Sequence, residues 1–407
     1  MKFVKITINQ VFYKLILTLA YQLSTLISIA ILANYISAIE FGKVAICLIL
    51  LQSFWFISEW GIPNYSIELL GSKSSKAKKK DFLKTILTFY LLCFGFFSLL
   101  LALLIEFIFH DLDFKFYFTV IPSLFFGIFN FVWFFSLINK VEKIVTITVI
   151  SRILFVICLL FFVRSDANGY LYLALNGISL AIIGLYSLSQ LIKLGYVDGI
   201  PSISHLFMRL YYLKNSSIYF FTNLTDNQFP LIWSFVVSIV GGAPLVFLYS
   251  LADQIFRSVI AISVLISQTI RINLSLESKD NLFFTIKLFV FLGLIFSIIG
   301  YYFVEGFLSL FFNATFSDPI ILTSIIALPA ALHYFIRLLN YPLFAEYYDI
   351  LFVNKISITV FYLNLLLLGC WVTFYESLVT LIMMMSFSLF VHLVIITFLL
   401  WKKIKVT

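Results

Sequence analysis

Apolar residues in this chain come in long runs, and short polar segments separate them. Runs of about 20 residues or more, enough to cross a bilayer at the rise of an α-helix, lie near 10–33, 43–67, 83–109, 116–139, 144–163 and 169–192. A second set lies near 215–240, 245–270, 283–304, 319–340, 356–374 and 377–401. The alternation of period two that marks outer-membrane barrel strands is missing. The pattern predicts an all-α polytopic membrane protein of about twelve transmembrane helices. The connection Lys193 to Lys214 is the longest, with Gly195, Gly199 and Pro201 before SISHLFMRLYYLK, a segment that reads as an amphipathic interfacial helix. It falls at the midpoint and divides the chain into an N-terminal six-helix bundle (1–192), a cytoplasmic linker (193–214) and a C-terminal six-helix bundle (215–407).

Faint internal repetition supports that division. Asn9 and Gln22 in the first run have the spacing of Asn215 and Gln228 in the seventh, and Pro122 in the fourth matches Pro329 in the tenth. These matches predict two pseudo-symmetric halves around a central cavity, related by an axis along the membrane normal.

The helical hairpin from Asn215 to Arg271 places most polar groups at depth. Its first arm carries Asn223, Asp226, Asn227, Gln228 and Pro230; after Gly241-Gly242-Ala243-Pro244 the second carries Asp253 and Arg257 at i,i+4. A charge at the bilayer centre costs about 2.5 to 3.5 kcal/mol on insertion scales, so such groups need partners or water. The stripe Ser216, Tyr219, Asn223, Asp226, Pro230 must therefore turn away from lipid, which reads as one wall of a hydrated cavity.

Composition narrows the class further. Of 407 residues, 62% are hydrophobic and 11% charged, where a soluble domain carries about 25% charged. The net charge of +8 does not mark a nucleic-acid binder, because the basic residues lie in loops. Lys2, Lys5, Lys14, the cluster Lys73 to Lys84 and nearly all later loop cations fall on the side of the N-terminus; the other side has only Lys43, Lys115 and Arg164. The positive-inside rule then puts both termini in the cytoplasm, with the basic loop Gly71 to Phe82 near anionic phospholipid. Cys47, Cys93, Cys158 and Cys370 sit singly in apolar runs, without metal-ligand spacing, and read as inert thiols.

Other polar positions inside the runs each have a bland and a functional reading. Glu59 shares a face with Gln52, Phe56 and Pro63, and either snorkels to the interface or lines the cavity. Gln22, Asn130, Arg152 and the stripe Pro329, His333, Arg337, Asn340 are open between interhelical packing and cavity roles. Asp253 and Arg257 fit a structural ion pair or a headgroup site in which Arg257 grips phosphate and Asp253 orients it. Asp226 has no cation near it in sequence and is the candidate proton carrier for ion coupling, with Glu59 beside it. No phosphate loop, HExxH or nucleophile elbow occurs. His110-Asp111-Leu112-Asp113 superficially resembles a glycosyltransferase DxD. Neither an enzyme nor a cofactor is expected, beyond coupling to H+ or Na+.

The opening LAYQLSTLISIAILANYISAIEFGKVAICLILLQSFWFISEWGIPNYSIELLG, with Phe41-Gly42 after the first helix and Glu59-Trp60-Gly61 ending the second, resembles Wzx-type bacterial polysaccharide flippases. These are O-antigen repeat-unit translocases of the multidrug/oligosaccharidyl-lipid/polysaccharide exporter superfamily. FLYSLADQIFR (Phe247 to Arg257) is similar to that family's eighth helix. The resemblance implies a bacterial inner-membrane flippase that moves an undecaprenyl-diphosphate-linked oligosaccharide by ion-coupled alternating access, alongside glycan polymerase and chain-length machinery. It also implies a cationic cavity, with Arg257 supplying charge and Arg337 and Arg152 less securely placed. Asp226 and Asp253 in the same region would offset those cations. A small-solute or drug antiporter of the same superfamily, and a membrane glycan polymerase or glycosyltransferase, are the alternative readings.

Overall fold

The computed structural model describes residues 2–70, 74–163, 169–197, 203–226, 229–274, 317–339, 350–374 and 377–404. All regular structure among them is helical, and nine helical stretches are long and apolar enough to cross a membrane. Large apolar side chains such as Phe96, Leu99, Phe118 and Phe161 stand on the outside, a surface stable only against lipid. The chain divides into two compact units, Met1–Asn223 with Phe235–Val246, and Leu224–Ser234 with Phe247–Thr407.

The first unit begins with α1 (Lys2–Tyr35) and α2 (Ala38–Glu59). Ser37 caps α2 by accepting from the Glu40 amide, and Glu40 in the first turn completes a Ser-x-x-Glu start that suits the helix dipole. Glu40 also pairs with Lys43 at 2.9 Å and accepts from the Gly169 amide, tying this turn to the one before α8. The second apolar run does not continue as one helix. Trp60 takes a left-handed conformation (φ 45°), as does Gly61 (φ 70°), and the chain restarts as α3 (Ile62–Leu70). Trp60 is held there by donating Nε1–H to the Leu213 carbonyl at 3.1 Å and by stacking on Phe220.

There follow α4 (Lys76–Phe107), capped by Ser75, α5 (Phe114–Ile128), the short α6 (Val132–Leu137), α7 (Glu142–Phe162) and α8 (Tyr170–Lys193). Helix α5 packs on α8, α2 and α4, while α7 lies between α1 and α8. Buried serines line these contacts, including Ser28, Ser123, Ser151 and Ser179. Small residues let membrane helices approach closely, and most such hydroxyls return their proton to a carbonyl one turn back, as Ser28 does to Thr25. Within the segment expected to be interfacial, a short helix α9 (Ile203–Met208) precedes α10 (Leu210–Asp226). Arg209 there pairs with Asp81 of α4 at 3.2 Å, and Tyr212 donates to the same carboxylate.

Helix α11 (Phe229–Leu274) breaks at Gly242, whose φ of 57° and ψ of −157° only glycine adopts freely. The hairpin turn expected at Gly241 to Pro244 is therefore present. Its Ala243 backbone presses so closely on Gly42 that a β-carbon there would collide with the Ala243 carbonyl. In the second unit, α12 (Ser317–Leu339) and α13 (Ile350–Phe374) each pack on α14 (Leu378–Ile404). Pro122 and Pro329, matched in the sequence pattern, both lie inside helices.

Candidate functional site

Among the described residues, the polar positions singled out in the sequence fall mainly in three clusters. The first is the elbow between α2 and α3. The inward stripe of α10 packs on it: Ser216 is buried, a β-carbon on Gly61 would collide with the Phe220 amide, and Tyr219 lies 6.1 Å from the Tyr65 ring. Asn64 donates to Asn223 at 3.0 Å, and Asn215 donates to the Tyr65 hydroxyl at 3.3 Å. Asn223 thus reaches a neighbouring amide on α3. Glu59, the last residue of α2, is exposed at this elbow. The side chain of Asp226, at the end of α10, lies outside the described residues, as do Asn227 and Gln228.

The second cluster lies in α11. Arg257 donates from Nε to Asp253 Oδ2 at 2.8 Å, and from Nη2 to Ser234 Oγ at 3.0 Å. Ser234 Oγ in turn donates to Asp253 Oδ1 at 2.7 Å. Residues 234 and 253 would stand roughly 28 Å apart in an unbroken helix, so this contact exists because the chain doubles back at Gly242. The spacing Asp253-x-x-x-Arg257 made the ion pair legible in the sequence. Ser234 carried no such signal, being nineteen positions from Asp253 and one of many serines in apolar helices. With one proton to give, the serine serves the charged acceptor, and its lone pair then receives the guanidinium, closing a three-membered ring of charge-assisted bonds. The side chain of Arg257 is 14% exposed and that of Asp253 9%. His333, on α12, is buried with its ring 6.0 Å from that of Phe256. The side chain of Arg337, one turn on, lies outside the described residues, and Asn340 does too.

The third cluster lies between α1, α7 and α8. Arg152 of α7 is 6% exposed and donates from Nη1 to Asn176 Oδ1 of α8 at 3.0 Å. Asn176 donates onward to Ser123 of α5 at 3.4 Å. The guanidinium sits over the Tyr21 ring of α1 at 4.3 Å and nears Phe155 at 5.9 Å. Gln22 is half-buried beside Tyr21. Asn130, open between interhelical packing and a cavity role, is exposed and accepts from the Val132 amide at 3.2 Å, which starts α6 after α5 ends.

Among the described residues no cluster of His, Cys, Asp and Glu could hold a metal ion, and the four cysteines are free. Of the His110-Asp111-Leu112-Asp113 segment, Asp113 stands just before α5 without capping it.

No protein-family model matches the sequence, and no curated protein does. Solved structures do match along nearly the whole chain. An inward-facing multidrug resistance MATE family transporter of the MOP superfamily has a TM-score of 0.65 at 12% identity, covering 97% of this chain and 99% of its own. An outward-facing conformation of such a transporter has a TM-score of 0.60 at 13% identity, covering 98% and 97%. The Vibrio cholerae MATE transporter VcmN, in a mutant form, has a TM-score of 0.57 at 11% identity, covering 98% and 95%. At such identities the likeness is one of fold, and the fold of this all-α, multi-pass chain is that of the MATE transporters.

Proposed function

We propose that the protein is an alternating-access flippase for a lipid-linked oligosaccharide of the polyprenyl-diphosphate class, with Arg257 receiving the diphosphate. The observation that carries this reading is the α11 pair itself: a guanidinium held in an apolar hairpin by Asp253 at 2.8 Å and by Ser234 at 3.0 Å, both charged side chains largely buried. A ligand approaching the pair meets a cation able to grip phosphate through two donors. Binding would then exchange the Asp253 carboxylate for the substrate anion, leaving Ser234 to hold Asp253 in place. Glu59, accessible at the α2–α3 elbow, and Asp226 are the candidates for ion coupling, since a carboxylate without a fixed cation can take up and release a proton as its surroundings change. The inner membrane, with both termini cytoplasmic, is the location that accords with the loop charges.

The second reading is a drug or small-solute antiporter, favoured by the multidrug resistance transporters that share the fold. A cationic drug would compete for Asp253 in place of Arg257. One vesicle experiment separates the two. The full chain reconstituted with a fluorescent polyprenyl-diphosphate oligosaccharide is expected to move it between leaflets. Arg257→Ala should abolish the movement, Arg257→Lys should keep part of it, and Asp226→Asn or Glu59→Gln should remove its dependence on a pH gradient. Movement of a cationic dye that Asp253→Asn abolishes, with no glycolipid movement, would establish the antiporter instead. Glycolipid movement at the normal rate in Arg257→Ala would take the diphosphate away from this residue.

A further inference from the structure

Arg152 is a charge sunk into a helix bundle without a counter-charge among the described residues. Arg152 is only 6% exposed, and no carboxylate among the described residues pairs with it. Moving such an ion out of water costs several kcal/mol unless the surroundings return it, and a buried cation of this kind is ordinarily paired. The groups that do meet it are neutral: one amide oxygen from Asn176 and the faces of Tyr21 and Phe155.

The same place also holds polar atoms with nothing to bond. The Arg152 Nε–H is buried without a hydrogen-bond partner, as are the Thr148 hydroxyl and the Tyr21 hydroxyl. Thr148 stands one turn before Arg152 on the same face of α7, and Tyr21 is the ring on which the guanidinium lies. All three orphans can donate, and one carries a full positive charge. Buried polar groups in native proteins are almost always satisfied, so three unpartnered donors on neighbouring side chains, one of them charged, favour an acceptor at this place.

We infer that the N-terminal bundle binds a small monovalent anion of halide size between α1 and α7, on Arg152, Thr148 and Tyr21. Asn176 is a positioning residue, fixing the guanidinium plane through Nη1 so that Nε–H faces the anion. The site is separate from the diphosphate site proposed on α11, because its donors stand on α1 and α7 and are buried.

The test uses the purified full chain in detergent, with sodium held constant and gluconate replaced stepwise by chloride or bromide. The midpoint of thermal unfolding, read by tryptophan fluorescence, is expected to rise with halide and saturate, as ligand binding to the native state requires. Arg152→Gln should remove the halide dependence. Asn176→Ala should keep it but raise the half-saturating concentration about fivefold, the equivalent of one ordinary hydrogen bond. If Arg152→Gln does not fold, Arg152→Lys decides, since an ammonium lacks the Nε–H and should bind halide more weakly. A wild-type midpoint that ignores halide would mean that water alone fills the site, and would overturn the inference. So would a halide response that persists unchanged in Arg152→Gln or Arg152→Lys.

Discussion

Two arginines whose side chains are described, Arg152 and Arg257, are sunk in apolar helices of this protein, and what surrounds them differs in kind. Arg257 is neutralised: Asp253 lies one helical turn away at 2.8 Å, and Ser234 binds both partners. Arg152 is more deeply buried and has only an amide and aromatic faces. A paired guanidinium contributes a local clamp that can open when another anion competes for it. An unpaired one leaves an electrostatic demand that packing alone cannot meet. The two units of the chain therefore use the same side chain in two ways, one paired with a carboxylate and one held by neutral groups among the described residues.

The largest effect expected from this difference lies in stability. Arg257→Met leaves Asp253 buried beside a hydroxyl, and breaking a buried pair from one side typically costs about 3 to 5 kcal/mol. The double variant Asp253→Leu/Arg257→Met should recover most of that loss, because neither charge then remains. Unfolding midpoints of the two variants, taken under one condition, check both statements. A single Arg257→Met as stable as the wild type would mean that the pair is solvated and exchanges without cost.

Arg152→Met should behave differently. It removes a charge that has no buried partner to strand, so lost desolvation offsets the lost cation–π contact and hydrogen bond. Its midpoint in halide-free buffer is expected within about 1 kcal/mol of the wild type. A loss as large as that of Arg257→Met would show that a carboxylate reaches Arg152 in the folded protein, and the contrast between the arginines would vanish.

The sequence carried one of these sites better than the other, for a geometric reason. Asp253 and Arg257 are four residues apart, and helical periodicity alone puts them on one face. Nothing local reports that Arg152 lacks an acid, since that depends on which residues α1 and α8 bring to α7. The same limit applies to the fold. Long apolar runs predicted the apolar helices of the described residues, the run at 283–304 lying outside them, and the glycines at 241–242 predicted the hairpin turn. The end of α2 at Glu59-Trp60-Gly61 was marked by the resemblance, whereas the left-handed tryptophan from which the chain restarts as α3 was not legible, because it rests on contacts to Leu213 and Phe220 of α10. Asn130 was open between interhelical packing and a cavity role; in the structure it is exposed and accepts from the Val132 amide, a local contact that its polarity alone did not report.

The smallest effects come from the neutral groups, and they sharpen the comparison most. Ser234→Ala removes a hydroxyl that bridges both members of a pair, yet the Nε to Oδ2 bond survives it. Its cost should be about 1 kcal/mol and should not depend on halide. Asn176→Ala removes the hydrogen bond that orients Arg152, and leaves Ser123 as well without the amide that donates to it. A similar cost is expected in halide-free buffer, but it should change as halide is added, because the guanidinium it orients is the one that binds the anion. The measurement is the difference between the two variants across a halide titration. Parallel curves would place both arginines in the same closed, self-sufficient class, whereas curves that separate with concentration would confirm that one guanidinium is satisfied within the protein and the other from outside it.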